Sequence, residues 1–127
     1  MKIIIAISRH FKNKELIFST VDRILDYMNL DNCKDLEIVH GGTIGVDSIT
    51  NVYAKDRGYK VRVFLPDYEK YAAKYAPIAR NVTMAKYADM LIAFRLGDSR
   101  GTLNMIKEAK NMDLKVFIIQ LDYPYDV

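Results

Sequence analysis

Residues 37–50 read EIVHGGTIGVDSIT. A short apolar run breaks on Gly41 and Gly42, a third glycine follows at Gly45, and Asp47 opens a segment with helical spacing. Such a strand-to-helix joint is the repeating unit of an open parallel sheet, so its reading decides the fold. Glycines there can simply turn the chain. They also tolerate positive φ and leave backbone bare enough for a ligand to approach.

Working outward, apolar runs and helical periods alternate along the chain. Residues 3–7 form a continuous apolar run, as expected of a central strand covered on both faces. Asn13 is placed to cap a helix whose stripe is Ile17, Val21, Ile24 and Met28. Residues 36–40 make the second strand, and 45–56 a helix with Val46, Ile49 and Tyr53 on one face, stopped by Gly58. Further strands are expected at 59–65, 90–94 and 114–120, with helices at 78–88 and 102–112. Residues 67–76 suggest a short helix interrupted by Pro77. The expectation is a single α/β domain over residues 1–120, a three-layer sandwich around a mostly parallel five-stranded sheet of order 3-2-1-4-5, with 121–127 as a tail.

Composition sets bounds on function. The chain has 127 residues, 50% hydrophobic and 28% charged, which suits one globular core. A net charge of +3 permits an anionic ligand without demanding one. Cys33 is the single cysteine, so no internal disulfide can form, and a free thiol in a reducing cytoplasm is the expected setting. The opening MKIIIAISRHF is too short an apolar run for a signal peptide or membrane span.

The expected strand order opens a crevice at the carboxyl ends of strands one and four. Four segments can reach it: Ser8 and Arg9 with His10, the glycine joint at Gly41, Gly42 and Gly45, the Arg80-Asn81 pair, and the turn Gly97, Asp98, Ser99, Arg100, Gly101, Thr102. Helix starts present unpaired N–H groups that favour anions, and arginines can grip phosphate in a bidentate way. Asp47 suits a ribose hydroxyl better than a phosphate. Each residue also has a plainer reading: Asp47, Asn81 and Thr102 as helix-start or capping residues, the arginines as a solvated face, and GGTIG as a turn that fits neither the dinucleotide fingerprint nor the P-loop. Ser8 and His10 share a strand face but lack a nucleophile elbow and an orienting aspartate. His10 and His40 have no ligand-spaced partners, so no metal site is expected, and no cofactor is called for.

Taken in order, ISRHF, IVHGGTIGVD, APIARNVTM and GDSRGT resemble the YspA-like members of the SLOG superfamily, relatives of the DprA and LOG Rossmann-like domains. The resemblance spans roughly residues 3–119. It implies a Rossmann-like domain whose glycine loops line a pocket for nucleotides or nucleotide-derived ligands. The chain departs from that pattern at Ile7, where relatives carry glycine, and at Ile44, where arginine is common. APIARN is longer than the usual Gly-Pro-Ile-Arg-Asn, and RLGDSRGT lacks the usual Pro-Gly-Gly opening. LOG-type phosphoribohydrolases carry a glutamate where this chain has Met105, and Glu108 lies about one turn further along. Acid–base help for glycosidic cleavage would then fall to Asp47 or Asp98.

Three functions follow in order. The first is capture of a nucleotide-like small molecule without turnover. The second is a nucleotide N-glycosidase or phosphoribohydrolase acting on the same ligand. The third is DprA-like binding of single-stranded nucleic acid, ranked last because acids such as Asp67 and Glu69 interrupt the basic stretch. A homodimer would use the stripe Tyr68, Tyr71 and Tyr75, or the tail around Tyr123 and Tyr125.

Overall fold

The computed structural model describes residues 1–11, 13–42, 47–97 and 99–121, with Asp47 and Ser48 described in backbone alone. Five parallel strands form one sheet: β1 (Lys2–Ile7), β2 (Glu37–His40), β3 (Lys60–Val63), β4 (Met90–Leu96) and β5 (Lys115–Leu121). Their order is β3-β2-β1-β4-β5, the order expected from the sequence. Four helices connect them: α1 (Lys14–Tyr27), α2 (Asp47–Arg57), α3 (Ala76–Tyr87) and α4 (Arg100–Asn111). Gly45 and residues 122–127, which hold the expected tail, lie outside the described residues.

The central strands are apolar on both faces because both faces are covered. Ile3 and Ile5 of β1 and Met90, Ile92 and Phe94 of β4 pack with Ile17, Val21 and Leu25 of α1 and Tyr53 of α2. Ile4, Leu91 and Ala93 point the other way, onto Met84 and Ala85 of α3 and Met105, Ile106 and Ala109 of α4. The loop after β1 is pinned by Phe11, which is fully buried and meets Phe94 edge-on at 5.4 Å between ring centroids. That anchor leaves Arg9 and His10 exposed just past the carboxyl end of β1.

Helix α1 starts as its sequence indicates, with the Asn13 carboxamide oxygen accepting from the Leu16 N–H at 3.1 Å. Its buried stripe is Ile17, Val21 and Leu25, with Ile24 and Met28 flanking it half-buried. Pro77 departs from expectation. It stands in the first turn of α3, where its missing N–H has no intrahelical partner to lose, so it starts a helix instead of interrupting one. Residues 67–75 hold two turns and a bend but no helix. The Asp67 carboxylate accepts from the Glu69 and Lys70 N–H groups, both at 3.1 Å, and so competes with a helix. The three tyrosines there are all exposed, and they follow turns, so they form no helical stripe.

A second polar anchor ties α1 to α2. The Tyr53 hydroxyl donates to Asp22 at 2.6 Å, and Arg57 donates to the same carboxylate at 2.7 and 3.2 Å while lying over the Phe18 and Tyr53 rings. Burial pushes the Asp22 carboxyl up, but the Arg57 and Tyr53 hydrogen bonds and the Arg57 charge outweigh it and hold the group below its usual range.

Candidate functional site

The strand order reverses at β1. The chain leaves β1 towards β2 and later crosses from β3 to β4 on the other side of β1. Sheets of this kind open a crevice at such a switch point. In this chain a cavity of about 590 Å³ lies at the carboxyl ends of β1, β2 and β4 and under α3 and α4. Its floor is apolar, from Ile5, Met84 and Met105. Its polar wall brings together Ser8, Arg9, Gly41, Arg80, Asn81, Ser99, Gly101 and Thr102. These eight residues come from four separate segments, all singled out by sequence. Gly42, Gly97 and Arg100 lie outside the lining. Gly45 and Asp98 lie outside the described residues, as does the side chain of Asp47.

Ser8 has a fixed role. It is 3% exposed, its Oγ accepts from the Leu96 N–H at 3.0 Å, and it is hydrogen-bonded to Thr102 Oγ1 at 3.2 Å. Ser99 Oγ also donates to Thr102 Oγ1, at 3.2 Å. This hydroxyl cluster binds the ends of β1 and β4 to the first turn of α4. Among the described residues no hydrogen bond links this cluster to His10, so it gives Ser8 no general base.

The glycines divide by physical cause. A Cβ on Gly41 would sit 2.7 Å from the Arg80 guanidinium carbon, and the Arg80 Nη1 donates to the Gly41 carbonyl. Gly42 has φ +73°, and a Cβ there would strike Leu65. Gly42 is therefore demanded by its backbone conformation, whereas the space beside Gly41 is filled by the movable end of Arg80. Gly101, in the first turn of α4, has nothing within 4 Å of an added Cβ and lines the cavity. Its backbone faces open space at the positive end of a helix.

The partners of two lining residues were not legible in the sequence. Asn81 is 4% exposed and sits in a relay: Arg80 Nε donates to its Oδ1 at 2.9 Å, and its Nδ2 donates to Asn104 Oδ1 at 2.8 Å. Asn104 thus ties α4 to α3 beneath the crevice. His40, 3% exposed, accepts the Gly42 N–H at Nδ1 (3.2 Å) and has Nε2 2.8 Å from Asn51 Oδ1. The Gly42 bond leaves Nε2 as the protonated nitrogen, donating to Asn51. Partners this far apart in sequence leave no local pattern.

The site's electrostatics are one-sided. Its described lining holds Arg9 and Arg80 and no carboxylate. Among the described residues, no three of His, Cys, Asp and Glu gather to hold a metal ion, and no helix is long and apolar enough to cross a membrane.

A family model described as "YspA, cpYpsA-related SLOG family" matches residues 1–71, which contain β1, β2, the Gly41-Gly42 joint and β3. The chain belongs to this SLOG family. The chain is also similar to the Gene 61 protein of Mycobacterium phage D29, 36% identical over 87 residues, 64% of this chain and 69% of that protein. The fold is similar to that of a predicted subunit of tRNA methyltransferase from Methanocaldococcus jannaschii, with a TM-score of 0.50 and 16% identity over 99% of this chain and 71% of that one. At that identity the likeness concerns the fold alone.

Proposed function

We propose that this SLOG protein binds a nucleotide or nucleotide-derived molecule in the switch-point crevice and releases it unchanged. The observation that carries this reading is the crevice's polarity. Two arginines and the open first turn of α4 line it, and no carboxylate stands among its described residues. Phosphate at the α4 start would meet unpaired N–H groups and the positive helix end. Ile5, Met84 and Met105 offer an apolar floor to a base or sugar.

Met105 argues against turnover. It is 2% exposed and lines the floor, so the position where LOG-type hydrolases carry a glutamate holds a thioether with no proton to give or take. Glu108 lies outside the lining and accepts from Asn111 at 3.3 Å.

The test is thermal denaturation against a panel of nucleoside mono-, di- and triphosphates. A ligand bound by the folded state alone raises the melting temperature, by about 2.7 kcal/mol of stability at a hundredfold excess over Kd. Gly101→Leu, which fills the open turn, removes the shift. Chromatography of the same mixtures shows no free base. Failure of every nucleotide to shift the transition would sink the binding reading, and release of base would replace it with the hydrolase.

A further inference from the structure

Arg80 lines a second cavity as well as the crevice. This recess, of about 220 Å³, lies between the end of β3, the turns after it and the outer side of α3. Phe64 and Tyr71 give it two aromatic rings, and Ala76 and Ala79 keep its α3 wall shallow. Asp67 supplies a carboxylate whose Oδ1 is held by the Glu69 and Lys70 N–H groups. Flat rings beside small residues suit a planar group, and a fixed carboxylate suits the amino or ring N–H donors of a nucleobase. Arg80 lines both cavities, its guanidinium is held by Gly41 and Asn81, and its charge favours phosphate.

We infer that the ligand is two-headed: two nucleosides joined through a phosphate bridge, one head in the crevice, the bridge at Arg80, and the second base in the recess of Phe64, Tyr71, Ala79 and Asp67. This rests on the crevice reading above and extends it to a ligand class. A nucleoside diphosphate would fill the crevice alone. The joined second head gains binding without a second loss of translational freedom.

Calorimetric titration compares ADP with diadenosine diphosphate, and GDP with diguanosine diphosphate. For one pair, the dinucleotide binds about tenfold more tightly, roughly 1.4 kcal/mol. Ala79→Leu, which fills the recess, brings the dinucleotide to the affinity of its nucleoside diphosphate. Tyr71→Ala, at an exposed position, gives the same loss and serves if Ala79→Leu does not fold. Equal affinities in the wild type, or a gain that survives either variant, overturn the two-headed ligand and leave the crevice reading standing. If none of the four probes binds, the two-headed ligand falls, and the crevice reading is decided by the nucleotide panel above.

Discussion

The Arg80 guanidinium occupies the space a side chain at Gly41 would need, and it donates to the Gly41 carbonyl. The clash in a Gly41→Ala variant is therefore with the far end of a flexible side chain. The variant should lose about 1 kcal/mol, at the low end of overpacking costs. The same substitution in an Arg80→Ala background should cost nothing. A double-mutant cycle by urea denaturation measures the coupling. Additive losses would mean that the two residues do not share that space.

Gly42 is held by backbone geometry as well as contact. Its φ of +73° costs a side-chain-bearing residue about 1–2 kcal/mol, before the collision with Leu65. Gly42→Ala should accordingly destabilise more than Gly41→Ala. Adding Leu65→Ala should recover the contact part alone.

Asn104 holds Asn81 by one hydrogen bond from a buried amide. Asn104→Ala leaves that donor unpaired and should cost about 1–3 kcal/mol in chemical denaturation. Asn104→Asp keeps an acceptor and should hold stability near wild type. Its added negative charge beneath the crevice should weaken nucleotide binding, an effect that high salt reduces.

The Asp22 carboxyl is held below its usual range by Arg57 and Tyr53. A group with a depressed folded value binds more protons when unfolded, so it stabilises the fold above the unfolded pKa near 3.8. That contribution fades as pH falls through the folded value. Asp22 is 44% exposed, so solvent screens the pair and the effect should be roughly 1 kcal/mol, a few degrees in melting temperature. Asp22→Asn should melt lower at neutral pH, and the gap should close as pH falls below the unfolded value and through the depressed folded one. A gap that persisted there would assign the effect to packing.

The sheet order was legible because β1 and β4 are apolar on both faces, which only central parallel strands require. Pro77 misled because the same missing N–H that breaks a helix interior suits a first turn. The glycine joint announced bare backbone, but spacing cannot say what fills it. Arg80 and Leu65 fill the space at Gly41 and Gly42, and Gly101 alone of the described lining glycines opens onto empty space. The Asn81–Asn104 and His40–Asn51 pairs depend on register between elements, which no short window of sequence contains.

The most direct test is an amide chemical-shift titration with the nucleotide panel. Saturable shifts are expected at the Gly101 and Thr102 backbone amides and at the Asn81 side-chain amide. Shifts confined to the exposed β3 edge and its tyrosines, or no saturable shift at the α4 start with any nucleotide, would contradict nucleotide binding in the crevice.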